Sequence, residues 1–430
     1  MRFHLFGLAH VPLSYENCIC PFTQLALGMA KMVKAHGHEL ICYGAAGSTV
    51  ACDEFVELVP QSVLDSVQDN TGTFKLRWSS QMNDPAWTVF IEQGRTALKE
   101  RYRHGDIALI TYGWFQKFVA ENAAIAVEII CGYSGIFHQY RVFPSQAWRW
   151  HLNGVMKREV SPSWYDVVIP HYLDPSMFQV KARKQDYLAF ISRLDNVKGL
   201  DIAIDVARAT GKKLKVAGRL NGKEELPPYA RNQKHVEYLG AVKHEARVEL
   251  LSNARALLFP TKWVEAFGLV MIEALACGTP IISSTMGSCT EIVEPLVGIQ
   301  CQDFKEFCEA VDNIRWIQPE ACRRIVEEKY SLDAAWPKYE KYFKMILRHR
   351  SSPNGWYTMR ENEPGVRSVV SKSDCAATSG FAYDRSLICK ACIEGCPLKA
   401  LPACQKWARL KAKNMVCPMS KWGPVLVEKT

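Results

Sequence analysis

Pro260-Thr-Lys-Trp-Val-Glu265-Ala-Phe-Gly-Leu-Val-Met-Ile-Glu273-Ala-Leu-Ala-Cys-Gly-Thr-Pro280 sets two carboxylates eight residues apart, and its reading decides the fold. Glu265 closes a loop. The apolar run after it has helical character and places Glu273 about two turns in. One acid therefore stands at a helix N-terminus while the other faces along the same cleft. Free N–H groups at a helix start make a natural diphosphate site. Acids also favour first turns for dipole reasons alone, so the pair gains meaning only from what surrounds it.

The residues upstream supply that context. Tyr187-Leu-Ala-Phe-Ile191 is a short apolar strand, followed by Arg193 and Lys198, with a helix starting at Leu200. Lys213 to Gly218 and His235 to Gly240 are strands ending in glycine, and Ala256 to Pro260 is a third strand. Strands alternating with helical stretches predict a parallel, doubly wound sheet. Ligands in such sheets bind outside the carboxyl ends of the strands. Arg193, Lys198, Val242 and Glu265 all follow such ends. Arg193 and Lys198 are suited to stabilise a departing oxyanion; the alternative for each is a solvated loop cation.

The same alternation opens the chain. Residues 1–7 read as a strand ending in glycine, residues 22–34 as a helix stopped by Gly37, and residues 39–43, 106–111 and 126–131 as strands. The expected organisation is a first Rossmann-like domain over 1–171, a second over 172–335, a crossover helix and linker over 336–350, and a cysteine-rich module over 351–430. At 430 residues and 48% hydrophobic content the chain has room for these cores. It contains no apolar run long enough for a membrane span, and its start is too short and polar for a signal peptide. Ten of sixteen cysteines scatter through the body as expected of reduced core thiols, which points to a cytoplasm.

Arg193-x4-Lys198, Val216-Ala-Gly218, Leu239-Gly240, the Glu265–Glu273 run and Gly287-Ser-Cys-Thr-Glu291 together resemble the retaining GT-B glycosyltransferases of the family 4 type. The resemblance implies an α/β GT-B fold, with two Rossmann-like doubly wound domains facing a cleft. It implies a nucleotide-sugar donor, a UDP-sugar being favoured, with Arg193 and Lys198 on the diphosphate and Glu265 at the donor sugar or phosphates. Glu273 would accept hydrogen bonds from the ribose. The backbone N–H groups of Phe267, Gly268, Leu269 and Val270 would cradle phosphates and sugar, and Val242 would hold the base through its backbone. No D-x-D triplet is present, which fits a reaction without a catalytic metal. The first domain departs from the family: the Gly-Gly of the first loop is replaced by Pro12 to Thr23. The histidine expected after the middle strand has two candidates for its role, Tyr133 and His138, either of which could instead be structural.

Residues 351–430 carry the other six cysteines. Cys389-x2-Cys392-x3-Cys396-Pro, Cys404 and Cys417-Pro-Met-Ser-Lys-Trp422 suit one structural zinc through Cys389, Cys392, Cys404 and Cys417, with Cys396 in reserve. The run also has the spacing of an iron–sulfur motif, and unliganded thiols remain an alternative. The module resembles small cysteine-rich units that end many virus and phage proteins. From Cys389 to Trp422 six lysines and Arg409 face one acid, Glu394, against +9 for the whole chain. A basic module beside a transferase suggests a polyanionic acceptor. The favoured acceptor is a hydroxymethylated base in viral or phage DNA, which would place the protein in a host cytoplasm. The alternatives are a surface glycan or lipid-linked sugar, or a non-catalytic nucleic-acid-binding protein on the same scaffold.

Overall fold

The computed structural model describes residues 1–17, 20–67, 83–156 and 164–351. The cysteine-rich module, and with it Cys389, Cys392, Cys396, Cys404 and Cys417, lies outside the described residues. Among the described residues thirteen strands form two sheets, with every strand pairing parallel. The first takes β1 (Arg2–Phe6), β2 (Glu39–Ala45), β3 (Glu54–Val59), β4 (Ile107–Ile110), β5 (Ala126–Glu128), β6 (Arg141–Phe143) and β7 (Asp166–Val168) in the order β3-β2-β1-β4-β5-β6-β7. The second takes β8 (Tyr187–Ile191), β9 (Lys213–Ala217), β10 (Val236–Tyr238), β11 (Ala256–Phe259), β12 (Ile281–Ser284) and β13 (Gly298–Cys301) in the order β10-β9-β8-β11-β12-β13.

Buried apolar runs such as Ile107–Ile110 and Ala256–Phe259 are what a parallel sheet covered on both faces requires. In the central pairs Phe3 lies opposite both Leu40 and Ile107, and Leu257 opposite both Ile281 and Ala189, while the β2/β3 register shifts at Gly44/Ala45. Each sheet reverses its strand order beside its first strand, at β1/β4 and at β8/β11. These are the switch points where loops diverge and leave room for a ligand.

The covering helices in the first half are α1 (Pro21–Ala35), α2 (Gln61–Val67), α3 (Pro85–Arg101), α4 (Lys117–Asn122) and α5 (Gln146–Val155). The second half has α6 (Leu200–Ala209), α7 (His244–Asn253), α8 (Leu269–Ala276), α9 (Cys289–Ile292), α10 (Phe304–Asn313) and α11 (Pro319–Lys329). Helix α8 opens at Leu269, so Glu273 sits little more than one turn in rather than two. Gly268 has φ +73° and forbids an earlier start.

The last helix, α12 (Leu332–Ser351), begins before residue 336 and returns to the first sheet. Ala335, Trp336, Tyr339, Phe343 and Ile346 share one core with Phe3, Leu25 and Leu40. Tyr339 donates to the carbonyl of Ile129 at 3.1 Å and Tyr342 to that of Tyr165 at 2.6 Å. Trp336 stacks on His36 with ring centroids 4.8 Å apart. No helix of the described residues is long and apolar enough to cross a membrane.

Trp336 is 2% exposed, so Trp336→Ala should cost about 3–5 kcal/mol of unfolding free energy. Trp316, 70% exposed, should stay within about 0.5 kcal/mol when replaced by Ala. Guanidinium titration of both variants checks the contrast.

Candidate active site

The loop between β11 and α8 carries the first of the two glutamates. Lys198, at the end of the short turn after β8, meets Glu265 with Nζ to Oε2 at 2.5 Å. The two side chains are 10% and 11% exposed, so the charges face each other largely out of water. Lys262 N donates to the Val197 carbonyl at 2.8 Å, which ties the loop to the same turn. Ser288 donates from its backbone N to the Glu265 carbonyl and from its hydroxyl to the Phe267 carbonyl, both at 3.0 Å. With its carbonyls engaged there, the segment 265–268 enters α8 with its N–H groups leading. Helix geometry leaves the first-turn N–H groups of α8, at Leu269 and Val270, without intrahelical acceptors. They add the positive end of a helix dipole to the Lys198 ammonium.

Glu273 is 4% exposed and lies 3.1 Å from Nε of Arg247 on α7. Val242, Leu269 and Val270 are half-buried at the rim of the apolar core that Ile272 and Leu275 occupy on α8. Arg193 behaves differently from Lys198. Its side chain is 71% exposed, and its Nη1 pairs with Asp195 of its own turn at 2.8 Å. The structure thus brings Lys198 and Glu265 together and leaves Arg193 at the mouth of the same turn.

In the first domain Tyr133 and His138 serve a buried carboxyl group. Glu128 accepts from the Tyr133 hydroxyl at 3.2 Å and from the backbone N–H groups of Phe137 and His138 at 3.0 and 2.8 Å. Burial pushes the Glu128 carboxyl up to about 7. Nδ1 of His138 accepts from Tyr140 N at 3.2 Å. Burial, with Arg141 nearby, lowers its pKa to about 4. Tyr133 and His138 therefore shape the loop after β5.

Other residues, given no role from the sequence, close the cleft. Ser145 caps α5 and donates to the Ala266 carbonyl at 2.7 Å. Glu291 of α9 accepts from Gln146 N and Ala147 N at 3.0 and 2.8 Å, so a carboxylate of the second domain sits on the N-terminus of α5. Trp148 faces Trp263 with centroids 5.7 Å apart. Ser145 carried a local signal, since a serine before a helical stretch is an N-cap. The partner across the cleft carried none.

Residues 175–331, which hold Lys198, Arg247, Glu265 and Glu273, match the family described as glycosyl transferases group 1. The match covers the second domain and does not extend to the first. Among relatives, the chain is 31% identical over 153 residues to the phosphatidylinositol N-acetylglucosaminyltransferase gpi3 subunit of Schizosaccharomyces pombe, covering 33% of each protein. The chain thus spans a third of that relative's length. Among solved structures it resembles AviGT4, a glycosyltransferase involved in avilamycin A biosynthesis, with TM-score 0.60 and 19% identity over 81% of this chain and 98% of that one. It also resembles HepE of Anabaena, solved with UDP and glucose, with TM-score 0.54 and 13% identity over 80% and 99% of the two chains. At such identities the likeness is one of fold, and that fold, two parallel α/β domains around a cleft, is GT-B. The matched segment supplies the Lys198–Glu265 side of the cleft and the first domain supplies the α5 side.

Three enclosed histidines give this fold a pH signature. Burial lowers His10 and His138 to about 4 and His171 to about 3. A lowered folded pKa means that the unfolded chain takes up protons first, so stability is present above about 6.5 and lost as pH falls towards 4. Each histidine contributes a slope of about 1.4 kcal/mol per pH unit in that window. Glu128 has the opposite sign between its ordinary value and about 7 and offsets one of the three. Denaturant midpoints measured from pH 7 to pH 4.5 should fall, and His138→Asn should flatten the decline.

Proposed function

We propose that the protein is a retaining glycosyltransferase that moves a sugar from a nucleotide-sugar donor to a hydroxyl acceptor without a catalytic metal. The observation that carries this reading is the enclosed Lys198–Glu265 pair at the N-terminus of α8. Transfer breaks the bond between the anomeric carbon and the diphosphate oxygen, and the electron pair leaves with the diphosphate. The Lys198 ammonium and the first-turn N–H groups of α8 meet that charge where little water screens it. Glu265 faces the sugar as positive character develops on the ring and holds Lys198 in place before the donor arrives. The acceptor oxygen bonds to the anomeric carbon from the face the diphosphate leaves, and its proton goes to the departing diphosphate oxygen. Arg193, free to swing from Asp195, would add a second cation, and Glu273, braced by Arg247, would take the ribose hydroxyls. UDP is the favoured nucleotide, as in the HepE structure.

Two acceptor classes have support. The basic cysteine-rich module favours a polyanion, a hydroxymethylated base in DNA. The phosphatidylinositol-directed relative favours a lipid-linked sugar or surface glycan. Incubation with UDP-glucose, UDP-N-acetylglucosamine or GDP-mannose and each acceptor class, followed by mass spectrometry, separates them.

Lys198→Ala and Glu265→Ala should each lower turnover by about 10²–10³, the effect of losing roughly 3–4 kcal/mol of transition-state stabilisation. Each variant also strands a largely buried charge, so circular dichroism must first show a folded chain. Near-wild-type turnover in a folded variant would remove that residue from the site. NMR of the product should show the donor's anomeric configuration, and turnover should survive brief EDTA treatment.

For the module we propose one zinc on Cys389, Cys392, Cys404 and Cys417. Elemental analysis of the full chain should find about one zinc per chain, and finding neither zinc nor iron would defeat the assignment. If the module grips DNA, removing 351–430 should flatten the salt dependence of the acceptor Michaelis constant by about 0.9 per lost phosphate contact.

A further inference from the structure

The loop after β4, Thr111 to Gln116, stands at the carboxyl end of the β1/β4 switch point and is braced from both neighbouring loops. The enclosed Gln116 side chain accepts from Thr111 N and Tyr112 N at 2.8 and 3.1 Å and donates to the Gly7 carbonyl, after β1, at 2.6 Å. Gly113, at φ +47°, fits under the loop after β5: a Cβ there would come 2.5 Å from the Tyr133 ring and 2.7 Å from the Gly135 carbonyl. A Cβ on Gly135 would lie 3.1 Å from the Trp114 ring. Phe137, whose N–H is fixed on Glu128, tilts against the same ring with centroids 5.6 Å apart. From this braced loop the Trp114 indole projects 50% exposed, and the Lys117 ammonium reaches over it, 4.8 Å from the centroid. A scattered exposed apolar side chain needs no explanation. An indole held out on a backbone with no room to shift is ordered before any partner arrives, which is what a binding platform requires.

Position and charge identify the partner. Tyr133, on the loop that backs Trp114, packs against the cluster that holds Trp148, Val264 and Ala266. Val264 and Ala266 flank Glu265, so one loop separates Trp114 from the segment that carries it. The segments after β1, β4, β5 and β6 (residues 7–20, 111–116, 129–140 and 144–145) contain no lysine or arginine and one acid, Glu16. Burial lowers His10 and His138 to about 4, so both are neutral. Lys117, the first residue of α4, faces Glu121 at 3.9 Å. These segments are nearly uncharged, the opposite of the cationic lining that a polyanion needs.

We propose that Trp114 is the stacking platform for an uncharged sugar ring of the acceptor, an inference that rests on the glycosyltransferase reading above. The face of an indole is the negative part of its quadrupole and attracts polarised C–H groups. A pyranose presents such groups together on one face and carries its hydroxyls around the rim. Stacked on Trp114, it would bury the C–H face and displace the Lys117 side chain, since an exposed cation–π contact is weak. The freed ammonium would then stand beside the hydroxyl rim. A nucleobase would also stack on an indole, but it would bring phosphates to segments without a lysine or arginine.

The test uses the full chain with whichever of UDP-glucose, UDP-N-acetylglucosamine or GDP-mannose it hydrolyses. The acceptors are the methyl glycosides of glucose, mannose and N-acetylglucosamine, with a hydroxymethylcytosine-containing DNA duplex alongside. W114A should raise the KM for the accepted glycoside about 5–100-fold while the donor KM stays within about twofold, and W114F should recover part of the loss. Saturation-transfer NMR of the glycoside on the wild-type chain should be strongest at the C–H protons of one sugar face. If W114A melts well below wild type, that contact pattern decides, and an even distribution over both faces overturns the platform. An unchanged acceptor KM in folded W114A also overturns it, and so does an equal rise in the donor KM, which marks a structural ring. A wild type that hydrolyses its donor but transfers to none of the glycosides overturns the uncharged acceptor, whether or not it modifies the duplex. A wild type that hydrolyses no sugar nucleotide overturns the glycosyltransferase reading itself, an outcome distinct from all of these.

Discussion

The position of one loop, residues 260–268, constrains the rest of the cleft. The turn after β8 grips it through the Lys198–Glu265 pair and the Lys262 N–H. Gly287 and Ser288 lie directly against it: a Cβ on Gly287 would come 2.4 Å from both the N and O of Glu265, so only glycine admits this approach. Ser145 holds it from the other domain at Ala266. The energetics make the arrangement close to all-or-none. A largely buried ion pair is a weak net stabiliser while intact, yet losing one partner strands a charge at a cost of about 3–5 kcal/mol. A displaced loop would meet that cost, lose the Ser288 contacts and shift the start of α8 together.

What could be read from the sequence follows from how local each cause is. Strands β8 and β11 show as short apolar runs, because both faces of a parallel sheet are covered, while β9, β10 and β11 are marked by the glycine or proline that follows them. Lys198 and Glu265 could be assigned to one cleft in advance because each follows a strand end in a pattern whose topology is known, although their direct ion pair was not foreseen. Arg193 shared the pattern but not the environment: Asp195, two residues on, supplies a counter-charge within the turn. Strand β6 was hidden by Arg141, a charge at the first position of a three-residue strand. It is buried because Asp166 on the neighbouring strand takes its guanidinium in two bonds of 2.7 and 3.0 Å. That compensation lies 25 residues away and leaves no local trace. Arg247 with Glu273, and Glu291 with the start of α5, are hidden for the same reason.

Tyr133 and His138 show a related effect. Both follow a strand end and so resembled ligand contacts. The deciding residue is Glu128, embedded in an otherwise apolar strand, whose carboxyl group collects the N–H groups and the hydroxyl of the loop beyond it. A buried acid with three donors outcompetes solvent for those groups, and the loop folds inward around it.

The two points where the chain passes between domains lie side by side. Leu173 bridges Ser331 in parallel fashion, Phe267 packs on Tyr330 with centroids 5.9 Å apart, and α12 starts at the next residue. Residues near this double crossing keep their mutual distances under any rotation of one domain against the other. Residues far from it, at the start of α5 and on α9, do not. His171 and Phe267 belong to the first group, while the Glu291 cap on α5 belongs to the second. The cap is a carboxylate on two exposed backbone N–H groups, a contact that water can replace at low cost. The crossing is secured by buried aromatic rings and the α12 core, which water cannot replace. The fold therefore places its permanent contacts at the crossing and its exchangeable contacts at the rim.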